Sequence, residues 1–194
     1  IALAGILVAV VGPLLGAIAD QTGGRKPWIV VFSLGCILAT CALWFVTPDR
    51  SSITLALVAV AVSTVCFEIV TIFYNATLPE MGPTHRLGRI GGWGWGAGYI
   101  GAILCLALCL FGLIQREEPP FGLDSSSAEH IRATVIVVAA WWVVFGWPFL
   151  VFVPDRPATG VSLIRAVSRG VPRLWKTVKN LRRDRHIATF LIAR

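Results

Sequence analysis

The sequence predicts an all-α membrane protein, and three observations support this. Of the 194 residues, 56% are hydrophobic and only 14% are charged, whereas soluble domains carry about 25% charged residues. Apolar runs of the length that crosses a bilayer, about 20 residues, recur along the chain. Lys and Arg are concentrated in alternate loops between these runs, as in multi-pass membrane proteins.

Five apolar spans follow one another, and a sixth run begins at Ile187. The predicted spans are Ile1–Ala19, Trp28–Val46, Ile53–Leu78, Ile90–Ile114 and Ala133–Val153. The first residue is not Met, and both ends of the chain lie inside apolar runs. We therefore expect a partial bundle of about five complete membrane helices. It is expected to need the remainder of the same chain as a partner.

Positive charge divides the loops into two sets. The loops Asp20–Pro27, Pro79–Arg89 and Pro154–His186 hold two, two and nine Lys or Arg residues, and the loops of the other set hold three. The positive-inside rule places the basic set in the cytoplasm. This asymmetry accounts for the net charge of +7, so nucleic acid is not expected as a partner.

Three segments of the chain are predicted. Residues 1–153 form a transmembrane bundle, residues 154–186 form a basic cytoplasmic link, and residues 187–194 start the next span. Within the link, apolar residues recur at helical spacing with Lys and Arg between them. They are Val171, Leu174, Trp175, Val178 and Leu181. This pattern predicts a basic amphipathic helix on the inner membrane surface or beneath the bundle.

A tight polar turn joins the first two spans. It reads Gly16-x-x-x-Asp20-x-x-Gly23-x-Arg25-Lys26. Gly16 lets another helix approach closely, Asp20 suits the positive N-terminus of a partner helix, and Gly23 permits a tight turn. The alternative interpretation is a generic charged hairpin between two helices.

The loop resembles the signature loop between the second and third helices of the major facilitator superfamily. Three further stretches add to the resemblance: Gly12-Pro-Leu-Leu-Gly16, Phe73-Tyr-Asn-Ala-Thr-Leu-Pro-Glu80 and Gly92-Trp-Gly-Trp-Gly-Ala-Gly-Tyr99. With Arg25-Lys-Pro-Trp28, they resemble the vacuole effluxer-like branch. The resemblance implies helices two to six of a facilitator, whose whole would have about twelve helices in two halves. It also implies that Asp20, Arg25 and Lys26 hold the inner face together.

The same resemblance implies secondary transport of a small solute by alternating access, with amino acids as the leading substrate class. It implies a multi-pass membrane protein, in a bacterial inner (cell) membrane rather than a vacuolar one. A sugar–cation symporter of the melibiose type is the alternative transporter. A non-transporting membrane sensor or scaffold is the alternative of another class.

The span Ile53–Leu78, which would be helix four of such a facilitator, carries a polar face. Thr64, Glu68, Thr71 and Asn75 are spaced four, three and four residues apart, which places them on one side of a helix. Glu68 is the only acidic residue in the interior of a predicted span. A charge at the centre of a membrane helix costs about 2.5–3.5 kcal/mol, so it faces a cavity or a partner. We interpret this face as a lining of the transport pathway, with Glu68 as a proton or cation carrier. The alternative is a structural Glu68 that pairs with a basic residue or stays neutral.

Glycine is concentrated in the span that begins at Ile90. Gly92, Gly94, Gly96 and Gly98 are predicted helix-packing positions, because small residues four apart let helices approach closely. So many glycines also permit bending.

The sequence predicts no enzyme, no metal and no cofactor. The five cysteines lie in apolar spans without a Cys-x-x-Cys pair, and the three histidines are isolated in loops. Small buried thiols are the expected state of these cysteines.

Overall fold

The computed structural model describes residues 2–116, 120–124 and 127–157, together with positions 159, 161, 165, 167, 168 and 172. Five long helices occupy this part of the chain, and no strand occurs in it. The helices are α1 (Ala2–Thr22), α2 (Lys26–Ala42), α3 (Ile53–Thr77), α4 (Thr84–Cys109) and α5 (Glu129–Phe152). The predicted all-α class is confirmed.

Four of these helices are long and apolar enough to cross a membrane, by length and composition. With the short turns that extend them, they run over Lys26–Phe45, Arg50–Glu80, Thr84–Ile114 and Glu129–Phe152. Many large apolar side chains on these helices face outward, including Leu38 and Phe145. A bilayer is the solvent that such a surface requires.

Three helices begin before the apolar spans predicted for them, α2 by only two residues, at Lys26 rather than Trp28. α4 begins at Thr84 rather than Ile90, and α5 begins at Glu129 rather than Ala133. Hydropathy marks only the part of a helix that lies in the hydrocarbon, whereas a polar first turn continues the helix into water. For α4, Pro83 sets the start, because its extended backbone (φ −66°, ψ 148°) stands just before the helix.

The pair α2 and α3 lies at the centre of the packing, because α3 also contacts α1 and α2 also contacts α5. The buried core joins α1, α2 and α3 through Ala19, Ile29, Ile69, Val70 and Phe73. Phe73 is only 1% exposed. This core lies near the turn between α1 and α2, and so it fixes the position of that turn.

The two tryptophans near the ends of the second span make contacts within the bundle. The Trp28 ring stacks on those of Phe32 and Phe73, with centroids 6.4 and 6.0 Å apart. The Trp44 ring lies under the Arg132 guanidinium.

The basic link lies for the most part outside the described residues, and so does the amphipathic helix predicted within it. The division into residues 1–153, 154–186 and 187–194 stays a prediction.

Candidate functional site

A cluster of charged residues joins α1, α2, α3 and the segment after α5. We call this end of the bundle the Arg25 end. Gly23 makes the turn between α1 and α2 with a φ of +92°, which glycine adopts without steric cost. A Cβ atom at Gly23 would overlap the carbonyl oxygen of Pro157. The glycine therefore permits both the turn and the close approach of the segment after α5.

Arg25 is buried at the centre of the cluster, with 7% of its surface exposed. Its Nη1 donates to Glu80 Oε1 at 2.7 Å and to the carbonyl oxygen of Ala76. Ala76 belongs to the last turn of α3, where unpaired carbonyl groups give the helix a partial negative charge. Arg25 thus satisfies the end of α3 while its own charge is neutralised by Glu80.

Lys26 binds the C-terminal end of α5. Its Nζ donates to the carbonyl oxygen of Leu150 at 2.6 Å, in the last turn of a helix that ends at Phe152. Two consecutive basic residues therefore bind the C-terminal ends of two different helices.

Asp155 supplies the opposite charge at the start of α2. The backbone N–H groups of Arg25 and Lys26 donate to its two carboxylate oxygens at 2.9 and 3.1 Å. α2 has no capping side chain at its own N-cap position, so a residue 130 positions away caps it. A carboxylate is favourable there because helix N-termini carry partial positive charge.

The segment after α5 continues onto neighbouring elements. Arg156 Nε lies 2.6 Å from the same Glu80 oxygen that binds Arg25. Thr159 then binds the end of α1, its N–H donating to Thr22 O at 3.0 Å and its hydroxyl to Gln21 O at 2.5 Å. One short segment therefore connects the ends of α1, α2 and α3.

The predicted pathway residues lie on α3, where Asn75 directly precedes Ala76 of the cluster and the other three lie further towards the start of the helix. Glu68 is exposed, and no described residue forms an ion pair or hydrogen bond with its carboxylate. The hydroxyls of Thr64 and Thr71 donate back to their own helix, to Val60 O at 2.7 Å and Phe67 O at 2.9 Å. Asn75 is half-buried. These side chains share one face of α3, and the structure brings no described cation to them.

An apolar cavity of about 380 Å³ lies between α2, α3 and α5. Thr64 lines it, whereas Glu68, Thr71 and Asn75 do not. Its other lining residues are Cys36, Ile37, Thr40, Ser63, Phe67, Val138, Ala139 and Trp142.

The four predicted packing glycines divide into two kinds. A Cβ atom at Gly94 would lie 3.1 Å from the Tyr74 hydroxyl oxygen of α3. At Gly92, Gly96 and Gly98 no described atom lies within 4 Å of such a Cβ. Within the described residues, only Gly94 of the four is closely approached by another helix.

Comparison with known proteins places the chain in a family. The family described as "Major Facilitator Superfamily" matches residues 1–106, and "Vacuole effluxer Atg22 like" matches residues 80–194. Each match covers more than half of the 194 residues. The chain belongs to the Atg22-like major facilitators.

Individual relatives agree with this family. "Uncharacterized MFS-type transporter YxiO" of Bacillus subtilis is 29% identical over 195 residues, which is 100% of this chain and 44% of that protein. "Autophagy-related protein 22-1" of Emericella nidulans is 29% identical over 87 residues, 45% of this chain and 13% of that protein. The chain therefore spans less than half the length of these relatives. No solved structure gives a significant match.

For this major facilitator, the predicted signature-loop residues have different surroundings. Gly23, Arg25 and Lys26 form part of the cluster. No described atom lies within 4 Å of a Cβ at Gly16, whereas a Cβ at Gly12, one turn earlier, would lie 2.6 Å from Ile72 Cδ1 of α3. The Asp20 side chain lies outside the described residues, so its predicted role stays a prediction.

The cluster also contains three residues that the sequence patterns above do not single out, namely Glu80, Asp155 and Arg156. A signal was present, because each of the three basic loops carries an acidic residue at its first or second position, namely Asp20, Glu80 and Asp155. An acid at the end of a span, in a loop otherwise rich in Lys and Arg, is a candidate partner for those cations.

Proposed function

We propose that the full-length protein is a secondary transporter that moves a small solute across a membrane by alternating access. Membership of the Atg22-like major facilitators supports this, and one structural observation carries it. Arg25 and Lys26 bind the last turns of α3 and α5, while Asp155 binds the first turn of α2. Alternating access by rocking needs a half that moves as one rigid body, and these contacts tie α2, α3 and α5 together.

We also propose that Glu68, Thr71 and Asn75 line the solute pathway together with Thr64, and that Glu68 binds a proton or cation. An ionisable group within a membrane span is costly unless it faces a cavity or a partner. Glu68 is exposed and has no partner among the described residues. Its partner is then the solute, a coupling ion or the remainder of the chain.

Amino acids are the proposed solutes, on the resemblance to vacuole effluxer-like proteins. The proposed location is a bacterial cell membrane. The Bacillus subtilis relative matches 100% of this chain, whereas the fungal Emericella nidulans relative matches 45% of it.

The test is pH-driven uptake by the full-length protein in lipid vesicles. A mixture of amino acids is compared with a mixture of sugars, for the wild type and Glu68→Gln. Asp49→Asn is the control, because Asp49 is also acidic and exposed but lies in a loop. We expect Glu68→Gln to abolish the pH-driven component of amino-acid uptake, and Asp49→Asn to retain it.

Other outcomes contradict separate parts of the proposal. Uptake by Glu68→Gln with an unchanged rate and pH dependence makes Glu68 structural. Uptake of sugars alone favours the melibiose-type alternative. No uptake of either class by the wild type contradicts transport of these solutes and favours a sensor or scaffold.

A further inference from the structure

Arg132 joins α5 to α2 at the end of the bundle opposite the Arg25 end. Its Nη1 donates to the carbonyl oxygen of Trp44 at 3.0 Å. Its guanidinium carbon lies 5.4 Å from the centre of the Trp44 ring. Trp44 belongs to the 3₁₀ turn Leu43–Phe45 that follows α2. One guanidinium therefore binds both the backbone and the ring of a residue 88 positions away.

The chemistry of this contact favours arginine. A guanidinium has five N–H donors on a delocalised cation, so it can lie over an aromatic ring and still donate to a carbonyl group, whereas an ammonium is a compact point charge with three donors. The cation also lies at the end of α2 where carbonyl groups are left unpaired. Glu129, 3.7 Å away on α5, contributes the opposite charge, and the Arg132 side chain is only 16% exposed. The contact is thus shielded from solvent and electrically balanced.

α2 and α5 are joined at their other ends as well. Lys26 Nζ binds Leu150 O at 2.6 Å at the Arg25 end. Between these two points lies the apolar cavity of about 380 Å³, which both helices line, Cys36 and Thr40 from α2 and Trp142 from α5. The two helices are therefore connected by a polar contact at each end, while the space between them is partly empty at mid-height.

We propose that Arg132 is a positioning residue that forms, with Lys26, a two-point clamp between α2 and α5. The clamp makes the two helices move as one rigid body and keeps the cavity from opening further. Loss of Arg132 releases the Trp44 end of α2 and exposes residues that the pair now shields. This inference concerns motion within the half-bundle and does not depend on which solute is transported.

Native cysteines report on the clamp directly. Cys36 is buried in the cavity wall and Cys41 is half-buried on α2 close to Trp44, while Cys109 is buried on α4. The experiment labels the full-length protein in lipid vesicles with a membrane-permeant maleimide and measures the rate at each cysteine by mass spectrometry. For Arg132→Gln we expect labelling of Cys36 and Cys41 to rise about tenfold, because a hydrogen bond to a charged group is lost. Labelling of Cys109 should not change.

Two further variants separate a clamp from a general effect. Arg50→Gln is the matched control, because Arg50 is exposed and its side chain contacts no described partner. Its labelling rates should equal those of the wild type. Arg132→Lys retains the cation but not the five donors of the guanidinium, so its rates should fall between those of the wild type and Arg132→Gln. It also serves as the test variant if Arg132→Gln does not fold.

The proposal is overturned by either of two results. Equal labelling of Cys36 and Cys41 in Arg132→Gln and Arg50→Gln means that Arg132 does not hold the two helices together. A parallel rise at Cys109 means that the substitution loosens the whole bundle. Uptake assays do not enter the result, so failure of the clamp is distinguishable from failure of the proposed transport function.

Discussion

The Arg25 end of the bundle and the face of α3 formed by Thr64, Glu68, Thr71 and Asn75, here called the Glu68 face, are both polar regions of an apolar chain. They differ in the partners of their polar groups. At the Arg25 end, the charges of Arg25, Lys26 and Asp155 meet other described residues within 3.1 Å. On the Glu68 face, hydroxyls donate to their own helix and the carboxylate has no described partner.

This difference separates two uses of polar groups in a membrane helix bundle. Charges that neutralise one another and bind helix ends fix the geometry of the half-bundle, since each helix terminus leaves backbone groups that need a partner. A charge without a partner inside a span is energetically costly, and binding of a proton, cation or solute lowers that cost. We therefore expect substitutions at the Arg25 end to lower stability, and substitutions on the Glu68 face to change transport while stability is retained.

The largest expected effect is that of Arg25→Gln on stability. The substitution removes the charged donor of Glu80 and of the last turn of α3, and hydrogen bonds to charged groups contribute about 1.5–3 kcal/mol. Glu80 itself keeps a cation, because Arg156 still lies 2.6 Å away. The measurement is the free energy of unfolding of the full-length protein in mixed micelles.

Arg86→Gln is the control for this prediction, because Arg86 is exposed at the start of α4 and its side chain has no described partner. The double variant Arg25→Gln/Glu80→Gln should lose less stability than the sum of the two single variants, since the pair is coupled. Equal losses for Arg25→Gln and Arg86→Gln would remove the distinction between the two regions.

Apolar spans alone predicted the helices, but not where they end. A run of about 20 apolar residues indicates a membrane helix because the bilayer leaves few alternatives. The polar start of α4, from Thr84 to Arg89, contains no such signal, and the apolar pattern predicts a loop there. Its helical state depends on Pro83, which stands just outside the helix, and on hydrogen bonds that form equally well beyond the hydrocarbon.

A smaller loss of stability is expected from Asp155→Ala. The substitution removes the acceptor for two backbone N–H groups at the start of α2, and loss of such a cap costs about 1–2 kcal/mol. Hydrogen exchange of the peptide that contains Arg25 and Lys26 should become faster, because these amides lose their partner. Asp49→Ala makes the same change of charge in an exposed loop and should leave this peptide unchanged. Unchanged exchange in both variants would show that Asp155 does not cap α2 in solution.

Of the residues at the Arg25 end, the sequence patterns single out those that lie close together along the chain. Gly23, Arg25 and Lys26 lie in one short turn, where local spacing already limits what their side chains can do. Glu80 and Asp155 are 55 and 130 residues from Arg25, and only the packing of α2 against α3 and α5 brings them together. To predict an ion pair between distant loops, one must know which helix ends meet. The amino-acid composition of the loops does not contain this information.

The smallest expected effect compares Gly94 with Gly96 on α4. A Cβ atom at Gly94 would lie 3.1 Å from the Tyr74 hydroxyl oxygen, whereas no described atom of another helix lies within 4 Å of a Cβ at Gly96. If the remainder of the chain packs on the side of α4 that carries Gly92 and Gly96, an added methyl group at Gly96 is crowded. We then expect Gly96→Ala to lower the free energy of unfolding of the full-length protein by about 1 kcal/mol.

The sign of the Gly96→Ala effect decides this prediction. At a helix position that no other residue covers, alanine is favoured over glycine by about 0.5–1 kcal/mol. If Gly96 is uncovered, Gly96→Ala therefore raises the free energy of unfolding instead of lowering it. Gly94→Ala is the reference, because the Tyr74 side chain can shift by a few tenths of an ångström and the helix gain offsets the contact. A loss at Gly96 beside a near-zero change at Gly94 would show that a surface open among the described residues is covered in the whole protein. A gain at Gly96 would instead show that this position stays uncovered and would favour the bending role for the glycines of α4.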